Sequence, residues 1–301
     1  MENNAQLTPG VILNEALPYI IKYHNQVVVI KYGGAAMTSP ETMELVVENI
    51  ALLRYAGIKI ILVHGGGKDI DEYSARLGLE KRSVNSFRYT DAEIMELVQM
   101  VLVGKLNTNL TAQINRRLTL LGSEPTALGL SGIDAGIIKA KELDDGSDYG
   151  GYVGQVVDVR AEPLLDFIER GYIPVIPSVA AAVDRDDVDH GSMCYNINAD
   201  VAACEIAIKL KAKKVIFMTD TPGLLRDFND RSTRIPLIRL SDLSGLRSES
   251  FFDRGMIPKI DSAERAVRNG VESATILDGG APHALLVELL TDKGEGTMVT
   301  A

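Results

Sequence analysis

Residues 28–34, VVIKYGG, decide the reading of this chain: an unbroken β-branched run carries one lysine, Lys31, into a corner made by Gly33 and Gly34. Such a run reads as a buried strand, and glycines at its end let the backbone approach something closely. Lys31 has two readings at this point, a strand-end lysine whose ammonium reaches solvent along its stem or a cation aimed at a ligand. The same shape returns further along. Residues 59–63, KIILV, empty into His64-Gly65-Gly66-Gly67, and residues 214–220, KVIFMTD, leave Thr219 and Asp220 at a strand end. Ser39-Pro40 opens a helix between the first two runs, reaching about Tyr55. Strand, glycine corner and helix in alternation imply an α/β fold with a mostly parallel sheet and ligands at the carboxyl ends of the strands. The three glycines before a helix over 68–77 offer backbone N–H groups to a phosphate or carboxylate. A tight turn without a ligand is the competing reading.

Composition narrows the class. With 301 residues and 46% hydrophobic content, the chain can bury the core of one large or two smaller domains. A formal charge of −10 and a pI of about 5.0 disfavour nucleic acid and anionic membranes as partners, so any anion site must be local. Cys194 and Cys204 have no metal-type spacing and form no disulfide framework, and both read as core thiols in a reducing compartment. The opening MENNAQLTPG lacks the basic and apolar regions of a leader. No run reaches the roughly 18 apolar residues of a membrane span. A cytoplasmic protein is the expectation.

Residues 10–25 place Val11, Leu13, Ala16, Leu17, Ile20 and Ile21 at helical spacing, interrupted by Pro18. This predicts a bent or two-part amphipathic arm, packed on a second subunit in preference to its own body. Residues 82–89 read as a β-excursion, with Arg88 just before the capping box Thr90-Asp91-Ala92-Glu93 of a long helix through Met95, Val98, Leu102 and Leu106. Arg88 either pairs with Asp91 or Glu93 at the surface or offers a fork to a ligand carboxylate. Strands are predicted over 125–132, 135–141 and 152–157, the last two as a hairpin across an acidic turn, then a helix over 161–170 and a strand over 173–179. The acidic loop 182–192 marks a boundary, giving an arm over 1–25 and lobes over 26–190 and 191–301. Asn196-Ile197-Asn198-Ala199-Asp200 precedes an apolar helix; Asn198 or Asp200 can cap it, yet two asparagines and an aspartate exceed what capping needs. In GMIPK, residues 255–259, Lys259 falls in a first helical turn, where the dipole disfavours cations. That placement makes sense beside an anion, and it sets Lys259 next to Lys31 as a second phosphate-facing cation. A strand over 275–278 and a helix over 283–290 follow.

KYGG at Lys31, HGGG at His64, NSFRYTD at 85–91, NINAD at 196–200 and GMIPK at 255–259 resemble, in order and spacing, the acetylglutamate kinases of the amino acid kinase family. No GxxxxGK[ST] segment occurs, so the resemblance is not to a P-loop kinase. It implies a three-layer αβα sandwich, with 26–190 as the amino-acid substrate lobe and 191–301 as the nucleotide lobe. Lys31 and Lys259 would stabilise the transition state, with Asp200 holding both. Gly66, Gly67, Arg88 and Asn196 would hold the substrate, and Gly33, Gly34, Thr219, Asp220 and Met256 the nucleotide. The implied ligands are N-acetyl-L-glutamate and ATP with Mg2+ carried mainly by phosphates and water, with no metal site in the chain itself. A carboxylate acceptor, ionised above about pH 4.3, needs no general base, and His64 is expected to fix the glycine loop. The arm and the ending PHALLVELLTDKGEGTM resemble the arginine-inhibited hexameric branch. That likeness implies a homohexamer built as a trimer of dimers and a PII-type regulator. It also implies feedback inhibition by arginine at Tyr19, Lys214, His283, Glu288 and Gly294. Glu288 and Lys214 keep an ordinary reading as surface charges.

The chain departs from the family pattern at Ser86, where glycine is usual, and at Phe87 and Tyr89 beside Arg88. Lys68 follows HGGG where proline is common, and Ile133 stands in GLSGID where many members carry lysine. Bulk beside Arg88 bears on substrate identity, since one methylene changes preference by only about 1–3 kcal/mol. A kinase for another N-acylated amino acid, such as N-acetylaminoadipate, is therefore one alternative. A catalytically weak arginine-sensing protein is the other.

Overall fold

The computed structural model describes residues 9–37, 39–85, 87–184, 193–249, 251, 256–292 and 294–301. Ser86, Gly255 and most of the acidic loop over 182–192 lie outside them. Helix α1 (Pro9–Tyr23) leads into β1 (Val27–Tyr32), α2 (Pro40–Tyr55), β2 (Lys59–His64) and α3 (Gly67–Leu77). The expected division of the arm at Pro18 is not found: α1 runs through it as one helix. Pro18 and Asn14 both face solvent, where water can serve the carbonyl that proline leaves unpaired. Ser39 caps α2 by accepting from the Thr42 amide at 3.2 Å.

A small hairpin, β3 (Ser83–Val84) and β4 (Phe87–Arg88), precedes α4 (Ala92–Val98), whose N-cap Asp91 accepts from the Ile94 amide at 3.0 Å. The single long helix expected here is a composite. Gln99–Asn107 winds as a nine-residue π-helix before α5 (Thr108–Leu120) resumes α geometry. Next come β5 (Ala127–Gly129), β6 (Ile138–Glu142), β7 (Gly154–Val159), α6 (Ala161–Glu169), β8 (Ile173–Pro177), β9 (Val179–Ala182) and β10 (Cys194–Asn196). The chain continues through α7 (Ala199–Lys209), β11 (Lys214–Thr219), β12 (Leu237–Arg239), α8 (Leu243–Leu246) and α9 (Ile257–Arg268). It closes with β13 (Ser273–Asp278), α10 (Ala284–Leu290) and β14 (Thr297–Thr300).

Eight strands form one sheet in the order β12-β14-β13-β11-β1-β2-β8-β5, parallel from β13 to β5, with β12 and β14 running the other way. Alternate residues face opposite layers, as strand geometry requires. Val29, Ile61, Val63, Val215 and Phe217 point to the core beneath α6, α7 and α9. Val28, Ile30, Ile60, Leu62 and Ile216 point to the core beneath α2, α5 and α10. Each such fully buried aliphatic side chain contributes roughly 1.5–3 kcal/mol. Burial on both faces explains why these strands read as continuous apolar runs. The result is the mostly parallel αβα sandwich. A second sheet, β10-β9-β6-β7, contains the expected hairpin and pairs β9 with β10. The arm packs on its own body through α10, with Tyr23 in the core and Leu17 and Ile21 facing outward. Both cysteines are buried free thiols, and burial pushes that of Cys204 up to about 12.

Candidate active site

Four parallel strands, β1, β2, β11 and β13, end at one edge of the large sheet, and the site is assembled there. Lys31, at the end of β1, brings its Nζ within 3.0 Å of Asp200 Oδ1, and Lys259 Nζ lies 3.3 Å from the other carboxylate oxygen. Asn198, not Asp200, caps α7: its Oδ1 accepts from the amides of Asp200 at 2.8 Å and Val201 at 3.3 Å. Asp200 is thereby released from capping, and its buried side chain faces the lysines. Burial raises its proton affinity, but Lys31 and Lys259 together outweigh burial and hold the carboxyl below the usual range. Two ammonium groups thus share one carboxylate, leaving local positive charge in an acidic protein. The same contact supplies the anion that the position of Lys259 in the first turn of α9 called for.

The glycine corners fit closely around this group. A Cβ on Gly33 would stand 3.4 Å from both Lys31 Nζ and the Gly65 amide nitrogen, and Gly34 has φ +66°. A Cβ on Gly66 would fall 2.3 Å from Leu106 and 2.5 Å from Leu102, both on the π-helix, so only glycine fits beneath it. Gly66 is also the N-cap of α3, whose first amides open toward the cleft. His64 is fully buried; its Nδ1–H donates to the Gly65 carbonyl at 2.9 Å, and its Nε2 accepts from the Asn107 amide at 3.2 Å, a tautomer assigned from these partners. Burial lowers its pKa to about 4. A neutral ring with both nitrogens committed fixes the loop and is no general base.

Two cavities meet at the charged group. The first, about 550 Å³, is lined by Lys31, Gly34, Gly66, Gly67, Arg88, Asn196 and Asp200 among others. The second, about 700 Å³, is lined by Thr219, Asp220, Leu224, Phe228, Phe251, Met256 and Lys259 among others. Asp200 on one wall and Lys259 on the other are the pair just described. Arg88 does not take Asp91 or Glu93 as partner: its Nη2 donates to Asp71 on α3 and to the Gly67 carbonyl at 2.8 Å. Lys81 holds the second Asp71 oxygen at 2.8 Å. Nε and Nη1 of Arg88 make no bond to another described residue. Asn196 donates to the Thr90 hydroxyl at 3.1 Å. Phe87, one of the departures, packs edge-on against Tyr149 at 5.5 Å, and Tyr89 lies under the Arg82 guanidinium at 3.9 Å.

The remaining sequence candidates lie elsewhere. Lys214, at the start of β11, and Glu288, on α10, are not surface charges; they form a buried pair at 2.7 Å. Glu288 also accepts from the Thr275 hydroxyl at 2.9 Å and the Glu295 amide at 3.1 Å. Gly294, with φ +47°, passes so close that a Cβ would lie 3.2 Å from Glu288. His283 pairs through Nδ1 with Asn49 of α2 at 3.0 Å, and Tyr19 is half-buried on α1, which packs on α10.

Sequence reasoning missed Asp71, Asn107, Phe228 and Phe251. Asn107 did carry a signal, a polar side chain beside Leu106 and Leu110 on an apolar stripe. Asp71 was hidden among acids that suit any helix start. Among the described residues no group of three His, Cys, Asp or Glu stands ready to hold a metal ion, and no helix is long and apolar enough to cross a membrane. Asp200, the carboxylate at the junction, is already committed to two lysines, so the described residues build no magnesium cage.

The fold and this junction of two lysines on one aspartate are those of the amino acid kinases. The family's sequence profile matches residues 26–278, and the chain belongs to the amino acid kinase family. It is 45% identical to the acetylglutamate kinase of Clostridium beijerinckii over 288 residues, 96% of each chain. It is 44% identical to the acetylglutamate kinase of Brachyspira hyodysenteriae over 298 residues, 99% of each chain. Among solved structures, N-acetylglutamate synthase from Neisseria gonorrhoeae complexed with coenzyme A and N-acetyl-glutamate superposes with a TM-score of 0.80 at 22% identity. That match covers 98% of this chain and 64% of the synthase, so this chain spans just under two thirds of that protein's length. Carbamate kinase from Giardia lamblia bound to AMP-PNP gives a TM-score of 0.67 at 14% identity, covering 92% of this chain and 98% of that one. At these identities the two structures speak to the fold.

Proposed function

We propose that this chain transfers the γ-phosphoryl group of ATP to the side-chain carboxylate of N-acetyl-L-glutamate, forming an acyl phosphate in arginine biosynthesis. One observation carries the reading: Asp200 grips both Lys31 and Lys259 where the two cavities meet. Phosphoryl transfer spreads negative charge over equatorial oxygens, and its catalysis consists mainly of positioning and electrostatic stabilisation. Two lysines sharing one carboxylate retain a positive surplus for that charge, already oriented and without reorganisation. Gly66 and Gly67 would present amides to the acceptor, Arg88 would use its uncommitted Nε and Nη1 on the α-carboxylate, and Asn196 would hold the rest of the substrate. Gly33, Gly34, Thr219, Asp220 and Met256 would face the nucleotide. Mg2+ would come with the phosphates, neutralising them and held by nucleotide and water. His64 as a neutral structural group agrees with an acceptor that is already ionised.

The division into an arm over 1–25 and lobes over 26–190 and 191–301 belongs to this reading, as do a cytoplasmic location, a homohexamer and a PII-type regulator. Arginine, with its own guanidinium and carboxylate, would act at Lys214 and Glu288, beside Gly294, His283 and Tyr19. These two side chains already satisfy each other, so arginine would have to exchange for an internal pair. Such an exchange inhibits only if the two states of the protein bind arginine differently.

The test is a hydroxamate assay for acyl phosphate with Mg-ATP, comparing N-acetylglutamate with N-acetylaminoadipate, with and without arginine. Preferential turnover of N-acetylglutamate, by about tenfold or more, and its suppression by arginine are expected. Preference for the longer substrate would move the assignment to that kinase. No turnover of either would leave an arginine-binding protein.

A further inference from the structure

Phe228 has the most exposed large hydrophobic side chain among the described residues, at 72%, yet it lines the second cavity and does not sit on an outer helix face. Its loop is not loose. The Arg226 amide donates to the Thr233 carbonyl at 3.2 Å, and the Asp227 amide to the Thr233 hydroxyl at 3.0 Å. The Asn229 amide donates to the Asp227 carboxylate at 2.9 Å, and that hydroxyl of Thr233 donates in turn to the Asp230 carbonyl at 2.6 Å. Arg231 ties the loop to the end of β13 through Asp278 at 3.2 Å. Backbone order therefore holds the Phe228 ring in the open without packing around it. Across the same cavity Leu224, Phe251 and Met256 supply apolar wall, and the Arg226 guanidinium lies 5.5 Å from the Phe251 ring centre. Lys259 borders this cavity and joins it to the charged junction.

A ligand suited to this cavity has an apolar planar end for the exposed ring and an anionic end for Lys259. We propose that Phe228 is the stacking residue for the base of the nucleoside triphosphate, an inference that rests on the nucleotide reading of this cavity. Stacking recognises the face of a base and not its edge, so the ring contributes affinity without selecting adenine over guanine. The phosphates are held separately, at the lysine end.

The chain has no tryptophan, so Phe228→Trp places a single fluorescent reporter at the site. The experiment titrates wild type, F228A and F228W with Mg-ATP, Mg-GTP and inorganic tripolyphosphate, which lacks a base. For F228A, ATP and GTP affinity should each fall by about tenfold, with tripolyphosphate affinity unchanged. F228W should keep nucleotide affinity and show saturable quenching with ATP and GTP, absent with tripolyphosphate. ATP affinity in F228A equal to wild type would overturn the assignment while leaving the nucleotide reading intact. An equal loss for tripolyphosphate would also overturn it, by showing that the loop merely positions the phosphate end. Absence of any nucleotide binding by the wild type would sink the underlying reading along with this one.

Discussion

Two lysine–carboxylate groups sit on neighbouring strands of one sheet, at opposite ends. Val28 of β1 pairs with Lys214 of β11, while Lys31, three residues on, pairs with Phe217. At the Lys214 end the account is closed: Glu288 accepts from a lysine, a hydroxyl and a backbone amide, and all of them lie within one subunit's interior. At the Lys31 end it is open, because two ammonium groups share Asp200 beside two cavities. Burial of charge by itself does not separate a site from a structural pair. The surplus does, since an incoming anion completes one group and must displace a member of the other.

Substitution should reveal that difference as a split between activity and stability. Lys31→Ala should lower acyl-phosphate formation by about 10⁴-fold, by analogy with cationic fingers in phosphoryl transfer, while urea unfolding moves by under about 1 kcal/mol. Here Asp200 keeps Lys259 and the cleft admits water. Glu288→Gln should show the reverse, a loss of about 3–5 kcal/mol in urea unfolding, because Lys214 is left buried without a counter-charge. If Lys31→Ala unfolds as readily as Glu288→Gln, the contrast between open and closed groups fails.

His64 sharpens the contrast as a group kept neutral beside the charged junction. Its pKa is about 4 in the folded chain against 6.5 in its unperturbed state. Between those values the unfolded chain binds the extra proton, so stability rises with pH there. This contribution is complete above about pH 6.5 and is lost as pH falls toward 4, amounting to about 3 kcal/mol. Urea midpoints from pH 4 to 7 for wild type and His64→Gln should differ in slope over that window. Parallel slopes would mean that His64 is not held neutral.

Much of this arrangement was legible in advance because local rules govern it. The buried parallel strands announce themselves as unbroken apolar runs, and Lys259 betrays a nearby anion by standing at the wrong end of a helix dipole. The Lys31–Asp200 grouping came from motif order joined to that anomaly. What stayed hidden depends on long-range pairing. Arg88 finds Asp71 across 17 residues, and Lys214 finds Glu288 across 74, separations for which no spacing rule exists. β9, β10, β12 and β14 have three or four residues each, too short for alternation to register. The π-helix escaped for another reason: Val101, Leu102 and Leu106 serve an α-helical stripe equally well, and the choice between windings is made by tertiary fit over Gly66.

That winding has a consequence for how the chain can vary. A residue in an α-helix turns about 100° from its predecessor, so removing one residue from 99–107 would let the segment relax toward α winding and rotate everything after the cut. Asn107 would swing away from His64, and Leu106 away from the floor of the glycine loop. Side-chain chemistry along this stretch can drift while its length cannot. The support beneath the anion loop is thus written in the number of residues between Val98 and Thr108 more than in their identity.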